Sequence, residues 1–261
     1  GPSFAALDQW RQLGDASMQW AFGALGIHDR AKHYASLYLD DLAGVIASGV
    51  DPQFSLSRYG EKLAASVSAF EPVREAVEGP ENIVSSALND LVDGLYREHS
   101  PDVVGLSVPF PGNFLGALRI AKRLRKHNPN IKILLGGGYP NTELRRLSDA
   151  RLFDYVDFVT LDDGELPIQR LLEHLDHQRP AADLVRTFVR DNTGVRYIEG
   201  PKQADIHHND TGMPTYRGLK LDRYLNVFEM LNPMHRIWSD GRWNKLTLAH
   251  GCYWSQCSFC D

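Results

Sequence analysis

Cysteine is scarce: 261 residues contain three thiols, and all of them fall in the closing stretch of the chain, at Cys252, Cys257 and Cys260. An odd, clustered set excludes a disulfide framework and suits a metal or cluster site in a reducing compartment, so a cytoplasmic location is expected. Long apolar runs are missing too. None approaches the roughly 18–20 residues that span a bilayer, and the start of the chain lacks the basic and apolar regions of a secretory signal. Net positive charge is absent: the formal charge is -5, and basic residues gather only in short runs such as Lys122-Arg123-Leu124-Arg125-Lys126. That excludes a broad cationic face for nucleic acid. There is no P-loop, no G-x-G-x-x-G after a strand, no H-E-x-x-H and no G-x-S-x-G elbow, so no catalytic residue is assigned. What remains, at 43% hydrophobic and 23% charged residues, is the composition of a globular protein.

Residues 1–80 read as a mostly helical region with scattered aromatics and no evident chemistry. From residue 81 the pattern sharpens. Val84, Leu88, Leu91 and Leu95 recur at helical spacing and form one apolar stripe, which Ser100-Pro101 ends. Residues 102–108 are a nearly continuous apolar run, as expected of a strand buried in a parallel sheet. Asn113 is the expected N-cap of the next helix, whose last turns carry the basic run where a helix C-terminus favours it.

Residues 131–135 form the next strand and run into Gly136-Gly137-Gly138. A helix over about 141–150, a strand over 155–159 and a helix opened by Asp162-Asp163-Gly164-Glu165 follow. Residues 185–189 and 194–198 read as a hairpin. Such alternation predicts an α/β domain over 81–200, an open, doubly wound (Rossmann- or flavodoxin-like) parallel sheet with its ligand beyond the C-terminal strand ends. Residues 201–243 read as a linker or crossing segment. Residues 244–261 open on a last strand that feeds Cys252-Tyr253-Trp254-Ser255-Gln256-Cys257-Ser258-Phe259-Cys260.

Three thiolates on one loop each ligate one iron of a cubane and leave the fourth iron open. A structural zinc site would need His250 as its fourth ligand. An unoccupied thiol loop is the remaining option.

A strand leading into this loop, with Phe259 just before the third cysteine, resembles the radical S-adenosylmethionine superfamily. The resemblance implies a [4Fe–4S] cluster on Cys252, Cys257 and Cys260, S-adenosylmethionine on the open iron, and an adenine contact for Phe259. Here four residues separate the first two cysteines, where the family usually has three.

The upstream order of strand, Ser107-Val108-Pro109-Phe110, basic helix, strand, glycine triplet, strand and Asp163-Gly164-Glu165 resembles the cobalamin-binding domain of one large subclass. That resemblance implies cobalamin as a cofactor, with Ser107, Gly136, Gly137, Gly138 and Glu165 near it, and methyl transfer to an unactivated carbon or related radical chemistry on a small-molecule or peptide substrate. Asp205-Ile206-His207-His208-Asn209-Asp210 departs from the Asp-x-His-x-x-Gly loop that supplies a lower histidine, and it reads as a solvated loop. The expected lower face therefore has no histidine ligand.

The family's opening strand–loop–helix unit is not legible in residues 1–80, and the chain ends one residue after Cys260. Alone it is expected to be inactive, which detectable 5′-deoxyadenosine formation would refute. Two alternatives stay open: a radical enzyme whose upstream domain has lost cobalamin, and a non-catalytic module with a terminal zinc or thiol loop.

Overall fold

The computed structural model describes residues 26–52, 54, 70–202, 205–213, 215–219 and 254. They fall in two compact units, Gly1–Pro52 with Met213–Cys257, and Gln53–Gly212 with Ser258–Asp261. Of the first unit, one long helix is described, α1 (Gly26–Gly49). It buries Leu37 and exposes Tyr38, Leu42 and Val45. Among the described residues no helix is long and apolar enough to cross a membrane.

The second unit is an open α/β sheet with helices on both faces. Its elements are α2 (Glu71–Glu78), α3 (Ile83–His99), β1 (Val103–Ser107), α4 (Pro111–His127), β2 (Lys132–Gly136), α5 (Gly138–Glu143), β3 (Phe158–Thr160), α6 (Glu165–Leu175), β4 (Thr187–Asp191) and β5 (Gly194–Ile198). The strand order is β1-β2-β3-β4-β5. The first three strands are parallel, while β4 and β5 form the expected hairpin and run antiparallel. The sheet is thus of the expected class, with a mixed rather than purely parallel composition.

Alternation along the strands decides what each face holds. Ile133, Leu135, Val159 and Phe188 pack with α2, α4 and Val92 of α3 in the larger core. Leu134, Phe158 and Ile198 turn the other way, against Leu171 of α6 and Leu184.

Several local expectations needed correction. The helix β1 feeds begins at Pro111 with Phe110 as its N-cap, so Asn113 is inside the first turn and exposed. Proline supplies a preset φ and needs no donor at that position. The helix expected over 141–150 is shorter and earlier, because the chain turns at Leu144 and makes a separate 3-10 turn over Ala150–Asp154. The third strand accordingly starts at Phe158.

The apolar stripe of α3 is only partly covered: Val84 and Leu88 are half-buried, while Leu91 and Leu95 are exposed. Ile83 is exposed too, and Ser85 and Val92 are buried. A polar clamp sets that rotation: Arg123 reaches Asp93 through two bonds of 2.6 and 2.5 Å, His127 reaches the same carboxylate at 2.7 Å, and its ring stacks on Tyr96. Charge-assisted bidentate pairing of this kind fixes orientation as well as proximity.

The basic run of α4 is largely used inside the fold. Arg119 and Lys122 donate to the carbonyls of Ala76 and Val77, which the C-terminus of α2 leaves open, and Lys122 also meets Glu78. Arg125 bonds the Tyr155 carbonyl and the Asp157 carboxylate. These are helix C-terminal and loop anchors.

Tyr139 of α5 is buried and packs its ring on Phe114, 4.7 Å between centroids. Burial, with Glu143 nearby, pushes its phenol up to about 12. The native state therefore keeps a proton that the unfolded chain gives up near pH 10. Stability is complete below about pH 10 and is lost as pH rises towards 12, by roughly 1–3 kcal/mol from this group. Tyr139→Phe should show a shallower alkaline decline in the urea midpoint than the parent. Equal slopes would contradict the assignment.

Candidate corrinoid site at the strand ends

The C-terminal ends of β1, β2 and β3 lie side by side, with Ser107 paired to Gly136 across the first two. The loop after β1 folds over the loop after β2. Val108 N–H donates to the Gly136 carbonyl at 2.7 Å, and Tyr139 N–H donates to the Val108 carbonyl at 2.9 Å.

That closure explains the glycine triplet from within the chain. Gly137 sits at φ 102, and a Cβ there would lie 2.8 Å from both the amide nitrogen and the carbonyl oxygen of Val108. A Cβ on Gly138 would meet the Pro109 carbonyl oxygen at 2.8 Å, and one on Gly136 the Thr160 hydroxyl at 3.1 Å. The sequence suggests that small residues here admit a ligand. In the fold Gly137 and Gly138 admit the neighbouring backbone, and Gly136 the Thr160 hydroxyl.

A groove lies at the outer edge of β1. Its volume of about 530 Å³ is lined by Ser107, Gly105, Gly112, Asn113 and Gly116 together with Val84 and Leu88 of α3. Ser107 is the last residue of β1 and is exposed. Gly105 and Gly116 are the informative pair: a Cβ on either would touch nothing within 4 Å. Glycine keeps this groove wide, and spacing alone did not single out either residue.

Phe110, quoted above only as part of the strand-end segment, is a further candidate. It is 69% exposed on the loop that caps the site, and an exposed aromatic fixed by its own backbone is a ready apolar contact for a flat ligand.

At the end of β3, Asp162 is held at φ 59. Its N–H donates to the Asn141 side chain at 2.6 Å, and its carboxylate takes Arg145 at 2.5 Å. Glu165 opens α6 and is exposed, separate from the Ser107–Gly136 pair. The loop carrying Asp205 is not merely solvated, since Arg186 grips Asp205 with bonds of 2.8 and 3.1 Å. His207 in that loop accepts the Asn209 N–H on Nδ1 at 3.2 Å.

Cys252, Cys257, Cys260, Phe259 and the strand expected over 244–249 lie outside the described residues. Among the described residues no group of three His, Cys, Asp or Glu is placed to hold a metal ion.

Comparison with known proteins fits this geometry. Residues 82–172, from the N-cap of α3 into α6, match the B12-binding domain, and the span includes Ser107, the triplet and Glu165. The chain is 26% identical over 207 residues to the cobalamin-dependent radical SAM methyltransferase TokK of Streptomyces tokunonensis, covering 77% of this chain and 26% of that protein. It thus spans about a quarter of that relative's length. A solved structure of the radical S-adenosylmethionine methyltransferase TsrM from Kitasatospora setae, with cobalamin and a [4Fe–4S] cluster bound, aligns at a TM-score of 0.36. The two share 17% identity, over 48% of this chain and 23% of that one. Residues 82–172 thus match a B12-binding domain, in a chain similar over 77% of its length to a cobalamin-dependent radical SAM methyltransferase.

Proposed function

We propose that this chain is the corrinoid-binding part of a radical S-adenosylmethionine enzyme that transfers a methyl group to an unactivated carbon, or carries out related radical chemistry, in the cytoplasm. The observation that carries the reading is a B12-binding domain match over the same residues that build the Ser107 groove. The fit is physical. Gly105 and Gly116 hold open space beside a small hydroxyl residue, which is what a large flat ligand with a nucleotide tail requires of a backbone. When bound, cobalamin would supply a cobalt centre able to carry a methyl group. The chain's own contribution is to seat the ring against a rigid loop and keep the groove dry.

On this reading Cys252, Cys257 and Cys260 hold a [4Fe–4S] cluster that binds S-adenosylmethionine, and Phe259 contacts its adenine. The substrate is a small molecule or a peptide, and nucleic acid is not a partner. Ser107 and Phe110 line the corrinoid, while Gly137 and Gly138 shape the loop that presents it.

The test is anaerobic reconstitution with hydroxocobalamin, iron and sulfide, followed by absorbance and metal analysis. Stoichiometric corrinoid absorbance retained through gel filtration is expected. A brown chromophore without corrinoid would leave a radical enzyme whose upstream domain has lost cobalamin. Stoichiometric zinc without iron would leave a binding module.

A further inference from the structure

The feature that the corrinoid reading does not absorb is Arg186. It sits at φ 45, outside the usual range for a side chain of its size, immediately before β4. Its backbone is fixed on both sides: the Leu161 N–H donates to its carbonyl at 3.0 Å, and its own N–H donates to the Glu199 carbonyl at 3.2 Å. The side chain, 15% exposed, lies between segments that are distant in sequence. Its terminal nitrogens donate to both oxygens of Asp205 and to the Asp163 carbonyl, the latter at 3.1 Å. Its Nε is buried without a hydrogen-bond acceptor, with the Asp162 carboxylate at 3.7 Å.

A strained backbone and a buried guanidinium persist only where surrounding contacts compensate for them. Here the compensation is the grip on residues 205–210. That segment is short and turns on itself, with Asp210 N–H donating to the His207 carbonyl at 2.7 Å. Among the described residues, the Arg186–Asp205 pair is what ties residues 205–210 to the sheet.

We propose that Arg186 is a latch that straps residues 205–210 across the C-terminal end of β3, and so fixes the path by which the chain leaves the α/β sheet. Asp205 is the strike plate, and Asp162 and Asp163 hold the guanidinium in place. Because Asp162 is itself tied to Asn141 and Arg145 beside α5, the latch shares its anchor with the loop bearing the glycine triplet. The latch is a property of the folded chain and does not depend on which cofactor binds.

Native-state trypsin digestion of the 261-residue chain without cofactor tests it. Lys202 is exposed just upstream of the strap, and cleavage after it reports how freely that segment opens. Asp205→Asn, a surface change, and Arg186→Gly, which keeps the backbone conformation while removing the side chain, should each speed cleavage after Lys202 by about threefold to tenfold. Cleavage after Lys122, inside α4, should not change, and Asp205→Glu should recover part of the protection. Unaltered cleavage after Lys202 in both variants overturns the latch. So does a parallel rise at Lys122, which would assign Arg186 to overall stability alone.

Discussion

Replacing Gly137 by alanine is expected to destabilise the α/β domain by about 4 kcal/mol, from roughly 1–3 kcal/mol of backbone strain and a similar overpacking term. Two effects act at the same atom. An alanine at φ 102 is strained in any surroundings, and its Cβ would lie 2.8 Å from two backbone atoms of Val108. Neither atom belongs to a flexible side chain that could swing aside. The loop after β1 would have to lift, giving up the bonds from Val108 to Gly136 and from Tyr139 to Val108. Urea unfolding of Gly137→Ala against the parent measures the loss. A change below about 1 kcal/mol would mean that the loops are not packed as described.

Filling the groove should have the opposite profile: little loss of stability and a large loss of binding. In Gly116→Phe the new ring starts from a Cβ with nothing within 4 Å, on a helix in which glycine is itself the less favourable residue. The folded state should keep its urea midpoint, while hydroxocobalamin affinity falls by at least about a hundredfold, since two bulky groups cannot share the space. Gly105→Phe, entering from the strand side, should do the same. Unchanged affinity in both variants would move the cofactor out of this groove and leave the glycines without a ligand to serve.

The fold was legible where periodicity and punctuation agree. The apolar runs ending in Ser107 and Gly136, and the turn Asp191-Asn192-Thr193-Gly194, were readable because strands between breakers leave a short-range signal. The face of α3 was only partly readable, because its rotation is set by the Asp93–Arg123–His127 clamp, a contact between residues 30 and more positions apart. The site was legible in part. Ser107 and the triplet stood out as small residues after strands, yet their spacing could not tell glycines that admit backbone from glycines that admit a ligand. What stands opposite each Cα is Val108 for Gly137 and open space for Gly105 and Gly116, the glycines proposed to face the ligand. Phe110 stood in the quoted strand-end segment but received no role of its own, because nothing in a local sequence window separates an exposed aromatic from a buried one.

The interlocking of the loops after β1 and β2 bears on recognition as much as on stability. With its backbone pinned to Gly136 and Tyr139, the tip bearing Phe110 has already lost its conformational freedom when the chain folds. If a corrinoid ring docks there as proposed, it meets a preorganised wall, and association is spared the entropic penalty of freezing a mobile segment.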